Sequence, residues 1–115
     1  MKDEERDELY QLHAQFCQAL SDPKRLLIIN ELYHGERSVG ELATSLGLRQ
    51  ANLSQHLARM RERGLVAPRR QGATVFYSLA DPRIYDAIGL LREVMAEQFQ
   101  KRNQIASQAV QRANV

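Results

Sequence analysis

Between Gln50 and Arg63 the chain carries side chains whose chemistry matches the edges of nucleic-acid bases. Gln50, Asn52 and Gln55 are amides, Ser54 is a hydroxyl, Arg59 is a guanidinium fork, and Ala51 and Ala58 are bare methyl groups. Gln and Asn can bond adenine bidentately, Arg can bond guanine, and an alanine methyl can meet the methyl of thymine. At about 100° per helical residue, Leu53, Leu57 and Met60 fall on one side. Ala51, Ser54, Gln55, Ala58 and Arg59, flanked by Asn52, fall on the other. A solvated surface helix usually mixes Glu with Lys four residues apart. Here no acid occurs between Gln50 and Arg61. Early residues of a helix that enters the major groove reach the bases, which favours Gln50, Ala51, Ser54 and Gln55 as readers. His56 belongs to the same pattern and is expected to pack or to touch phosphate rather than to bind metal.

A second group suits the phosphate backbone. Arg69, Arg70 and Gln71 sit at or beside the tip of an expected hairpin, and Thr74 follows it. From Arg49 to Gly72 there are six arginines against one acid, Glu62, while acids crowd the N-terminus as Asp3, Glu4, Glu5, Asp7 and Glu8. A local excess of arginine is what phosphate neutralisation requires, although a charged hairpin tip also serves solubility.

These groups need a scaffold, and the pattern supplies one. Leu9, Leu12, Phe16 and Leu20 recur at helical spacing, which predicts a first helix over about 7–20. Asp22-Pro23 caps and opens a second, with Leu26, Leu27, Ile29, Leu32 and Tyr33 as its apolar side and Gly35 at its end. Ser38-Val39-Gly40-Glu41 is a capping box for a short third helix that stops at Gly47. The fourth runs from about Gln50 to Arg63 and ends at Gly64. Leu65–Arg69 and Thr74–Leu79 read as strands joined through Gln71-Gly72, and Asp81-Pro82 opens a long last helix with Ile84, Ile88, Leu91 and Met95 along one stripe. The helicity of the polar tail from Lys101 is left open. The expected fold is mainly α with a small β-hairpin: a winged helix-turn-helix of order α-α-α-α-β-β-α, one domain over 1–115, with DNA binding at about 38–79.

Composition sets outer limits. The chain has 115 residues, 43% hydrophobic and 26% charged, with net charge +2, an ordinary balance for one globular domain. No apolar run could span a bilayer, and the charged N-terminus has no signal-peptide core, so a cytoplasmic protein with no membrane partner is expected. The single cysteine, Cys17, rules out an internal disulfide and suits a reducing compartment. An enzyme is not expected: there is no Gly-rich phosphate loop, no nucleophile elbow and no Cys/His/Asp/Glu cluster.

Five segments together resemble the ArsR/SmtB family of winged-helix repressors. They are Asp22-Pro23-Lys24-Arg25-Leu26, Ser38-Val39-Gly40-Glu41-Leu42, Leu53-Ser54-Gln55-His56-Leu57, Arg61 to Val66, and Gly72 to Leu79. The resemblance covers about residues 10–100. It implies a homodimer built from the first and last helices, binding an inverted-repeat DNA operator and releasing it when an inducer binds. On that basis Ile84, Ile88, Leu91 and Met95, with Leu9 and Leu12, are the expected dimer residues.

The resemblance also implies inducer sites, and the residues they need are missing. The paired cysteines of one metal site would fall in Ser38–Leu42, which has none. The histidine of another would follow His56, and no histidine does. The closest branch, which senses sulfide or persulfide through a dithiol, has cysteines where Asn30 and Ala96 stand. Arg49 replaces a frequent serine cap of the recognition helix. No metal or cofactor is expected, and the small inducer stays unknown. His13 and Cys17, four apart on the first helix, are the one candidate sensor pair, against the simpler reading of a packed thiol and a partly exposed imidazole. His34 is expected at a helix end. An interaction module that has lost DNA binding and a repressor responding to an organic ligand are the alternatives.

Overall fold

The computed structural model describes residues 1–113. Its elements are α1 (Asp3–Ala19), α2 (Pro23–Tyr33), β1 (Arg37–Ser38), α3 (Val39–Leu46), α4 (Gln50–Glu62), β2 (Val66–Gln71), β3 (Thr74–Leu79) and α5 (Arg83–Ala113). They divide into two compact units, one ending at Pro82 and the other formed by α5.

In the first unit the caps act as their residue types require. Asp22 accepts the backbone N–H of Lys24 at 2.8 Å, with Pro23 in the first turn of α2. That bond is the main reason the Asp22 carboxyl titrates below its ordinary range. Ser38 Oγ accepts the N–H of Glu41 at 3.1 Å and opens α3. Gly47 ends α3 with φ of 64°, a left-handed conformation that costs glycine nothing, and so sets the tight turn into α4.

The core lies between α2, α3, α4 and the start of β2. Ile28, Ile29, Leu42, Leu53, Leu57, Met60 and Leu65 are fully buried. The apolar stripe of α4 is therefore the expected one. That of α2 is rotated: Ile28, Ile29 and Leu32 are buried with Arg25, whereas Leu27 and Tyr33 are exposed. Arg25, Ile28, Ile29 and Leu32 keep the spacing of one helix face, and the sequence reading had placed an apolar residue where Arg25 belongs.

The sheet has three strands in the order β1-β3-β2, all antiparallel. The extra strand, β1, is only two residues long and pairs Arg37 with Tyr77 and Ser38 with Phe76. On the other side of β3, Arg69 lies opposite Phe76, Arg70 opposite Val75 and Gln71 opposite Thr74. The turn is Gly72-Ala73, one residue later than expected. Gly72 has φ of 61°, and a glycine with positive φ at the first of two central positions is what a type II′ turn demands.

α1 begins at Asp3 rather than near residue 7, with Asp3, Glu4 and Glu5 in its first turn, where acids complement the helix dipole. The second unit, α5, is 31 residues long. The tail from Lys101 continues it because that stretch holds no Gly or Pro and is rich in Gln, Ala and Arg. No helix among the described residues is long and apolar enough to cross a membrane.

Candidate nucleic-acid interface

α3, the Gly47 turn and α4 place one face of α4 outward. Ser54 and Gln55 lie on it, fully exposed to solvent and without a hydrogen bond among the described residues. Ala51, Ala58 and Arg59 are exposed beside them. The other two amides are turned inward. Asn52 is half-buried, and its Oδ1 accepts a bond from Lys24 Nζ at 3.4 Å. The Gln50 amide nitrogen lies over α3, 3.6 Å from where a methyl on Gly40 would stand. Arg49, the residue before α4, makes no side-chain cap bond, so the first backbone N–H groups of α4 are left open beside a guanidinium.

His56 does not face outward with the readers. Its Nδ1 accepts a bond from Arg25 Nε at 3.2 Å, and Arg25 Nη1 in turn bonds the carbonyl of Ala19 at 3.2 Å. Burial, ahead of the opposing influence of Asp22 and the repulsion of Arg25, Lys24 and Arg59, holds the imidazole below its ordinary pKa. A neutral ring is what an acceptor facing a guanidinium requires. The His56 ring thus ties α4 to α2 and to the end of α1, a tertiary bond that no helical periodicity could have disclosed.

The two hairpin arginines, read as equivalent from the sequence, differ in the structure. Arg69 is engaged three times over. It forms a forked pair with Glu36, Nη2 to Oε1 at 2.6 Å and Nε to Oε2 at 3.0 Å; it bonds Gln71 Oε1 at 3.0 Å; and its guanidinium lies 4.8 Å from the centre of the Phe76 ring. The bond from Arg69 is the chief reason the Glu36 carboxyl titrates below its ordinary range. Arg70 is exposed and has no partner among the described residues, and Thr74 is exposed at the start of β3. The signal for the Arg69 clamp was the acid at Glu36, but its approach depends on β1, which the sequence does not reveal.

A helix whose exposed face is neutral and hydrogen-bonding, set beside an arginine-bearing hairpin, is the geometry of a winged helix-turn-helix that reads a DNA groove. Residues 22–67 match the family model described as bacterial regulatory protein, arsR family. An HTH-type transcriptional regulator of Mycobacterium tuberculosis is 43% identical over 80% of this chain and 82% of its own length. The chain belongs to the ArsR family. This regulator is also 42% identical to the transcriptional activator HlyU of Vibrio cholerae, over 69% of this chain and 73% of HlyU. It is 36% identical to a biofilm growth-associated repressor of Xylella fastidiosa, over 74% and 75%. Among solved structures, the regulator from M. tuberculosis superposes with a TM-score of 0.75 at 41% identity, covering 82% of this chain and 95% of that one. The homodimeric winged helix-turn-helix domain from Mycobacterium bovis gives 0.77 at 29% identity, covering 86% and 91%. These relatives are transcriptional regulators, not enzymes.

The metal chemistry implied by the family does not fit this chain. Ser38–Leu42 offers no thiolate, and no group of three or more His, Cys, Asp and Glu side chains converges among the described residues. Asn30 and Ala96 cannot form a dithiol. Cys17 is exposed rather than packed, and His13, also exposed, lies one turn away on α1.

On the dimer side, Leu91 is 60% and Met95 57% exposed on α5, and Leu9 and Leu12 are more than half exposed on α1. Ile88 departs from expectation: it is already buried in the single chain, and Ile84 is half-buried. Leu90 and Val94, which the single-stripe reading omitted, are exposed instead. The apolar surface that α5 leaves uncovered is therefore rotated from the expected stripe.

Proposed function

We propose that this regulator works as a homodimer that binds an inverted-repeat operator and represses transcription until a small molecule releases it. The observation that carries the reading is the outward face of α4, acid-free through Arg61 and led by Ser54 and Gln55, with Arg70 beside it on the hairpin. In this reading Ser54 and Gln55 contact bases. Gln50 and Asn52 join them after side-chain rotation, and Arg59, Arg70 and Thr74 meet the backbone. His56 acts from behind by holding α4. Dimer contacts come from Leu9 and Leu12 on α1 and from Leu91, Met95, Leu90 and Val94 on α5, with Ile84 at the margin. The homodimeric M. bovis relative supports this assembly. Because the relatives include both an activator and a repressor, the sign of regulation needs its own measurement.

A mobility-shift titration on the fragment upstream of the protein's own gene, paired with a reporter driven by that fragment, tests the proposal. A sequence-dependent shift and a reporter that rises when the regulator is deleted are expected. Equal binding to that fragment and to random DNA would favour the reading in which only an interaction module remains.

The two hairpin arginines should separate in the same assay. Arg70→Ala should weaken cognate and random DNA alike and lower the slope of log affinity against log salt by about one unit, the loss of one phosphate contact. Arg69→Ala should change that slope less, because its guanidinium is spent on Glu36. Equal slope changes for both variants would show that DNA breaks the Glu36 pair.

A further inference from the structure

Arg25 is the one charged residue among the described residues that is buried, 9% exposed, and no carboxylate pairs with it. Buried charges are normally matched by an opposite charge. Its hydrogen bonds go to neutral acceptors, His56 Nδ1 and the Ala19 carbonyl, through Nε and Nη1. Nη2 makes no bond among the described residues, yet no buried side-chain nitrogen there lacks a partner, so Nη2 is open to the space that Arg25 lines. That space includes a cavity of about 280 Å³ between α1 and α4, walled by Gln15, Gln18, Arg59, Glu62 and Arg63 as well. Arg63 Nη1 spans its edge to Gln15 Oε1 at 2.9 Å.

We infer that this cavity is a binding site for a small dicarboxylate that also carries a hydroxyl or amino group, and that its occupant is the molecule that releases DNA. Three guanidinium groups converge on it, and each can take a carboxylate in a forked pair. The single acid, Glu62, has no partner in the structure and would accept the donor of the ligand. Glu62 also disfavours a DNA phosphate in this place, and the cavity lies at the C-terminal half of α4, away from Ser54 and the open N-terminus. Its volume is just below the usual range of about 300–1,000 Å³ for ligand pockets, which suits a small metabolite. The link to DNA runs through Arg25. A carboxylate that draws its guanidinium into the cavity competes with His56 Nδ1 for it, and His56 is the neighbour of Gln55 on α4. The release step rests on the operator-binding function proposed above, whereas occupancy of the cavity does not.

Calorimetry on the DNA-free full chain, with malate and aspartate as probes and sodium chloride matched in ionic strength, tests occupancy. At least one of the two should bind, and succinate, which lacks the donor, should bind more weakly. Arg63→Gln should weaken binding about tenfold or more, the cost of one charge-assisted pair, while Arg63 is not part of the DNA face. In the shift assay the binding probe should raise the concentration needed for half-saturation of the operator in the wild type beyond the effect of matched salt, and not in Arg63→Gln. Absence of heat with both probes, or unchanged binding in Arg63→Gln, would overturn the site. Inorganic phosphate binding as tightly as either probe would overturn the dicarboxylate class. Binding without operator release would overturn the regulatory half. Failure of the operator reading itself would show separately, as no specific shift without any probe.

Discussion

Leu91→Asp should convert the regulator to a monomer and with it abolish tight operator binding. Leu91 is 60% exposed in the single chain, in the same stretch of α5 as exposed Leu90, Val94 and Met95, so its apolar surface has no use within the protomer. Burying a leucine side chain is worth about 1.5–3 kcal/mol. In a two-fold dimer each substitution occurs twice, which doubles the loss. Adding a carboxylate with no partner costs several kcal/mol more if it stays buried. Leaving that last cost aside, about 3–6 kcal/mol is a shift of roughly 10²–10⁴ in the dimer dissociation constant. The protomer itself should keep its fold, since the position is solvent-exposed and lies outside the core of α2, α3 and α4. Sedimentation velocity at micromolar concentration, with circular dichroism as the folding control, measures this. A variant that sediments as a dimer with unchanged helicity would place the interface elsewhere. Ile88→Ala should act differently: Ile88 is buried within the chain, so its truncation should lower thermal stability more than it changes the oligomeric state.

What the sequence revealed and what it hid divides along a physical line. Caps, stops and stripes are local, and Asp22, Ser38, Gly47 and the Leu53–Leu57–Met60 face could be read because each acts within a turn or two of its own position. The ArsR resemblance rests on those same segments. What could not be read is tertiary. β1 is a two-residue strand defined only by its partner β3, and the Glu36–Arg69 pair follows from it. The Arg25–His56 bond joins residues 31 apart and turns a pattern residue of α4 into a tether. The rotated face of α2 has the same origin, since Arg25 occupies a buried position that hydrophobicity alone assigns to leucine. The cavity at Arg25 was invisible for the same reason, because its walls come from three helices.

Gln55→Ala should relax the base preference of the regulator without weakening its grip on random DNA. Of the four polar candidates early in α4, Gln50 is folded toward Gly40 and Asn52 is bonded to Lys24, each of which must give up an interaction to reach a base. Ser54 and Gln55 are exposed and uncommitted, and of the two only Gln55 can donate and accept together on one base edge. Losing such a bidentate contact costs about 1–3 kcal/mol against the cognate base, roughly ten- to a hundredfold in operator affinity. Losing a phosphate contact lowers affinity without relaxing sequence preference, which separates this variant from Arg70→Ala. The helix should be unharmed, because the side chain faces solvent and alanine is a better helix former than glutamine. Selection of binding sites from a randomised operator measures the outcome directly. The expected result is preference lost at one symmetric pair of positions, one in each half-site, with all other positions retained. An unchanged preferred sequence would move the readout to Asn52 or Arg59, and would mean that the Lys24–Asn52 bond opens when α4 enters the groove.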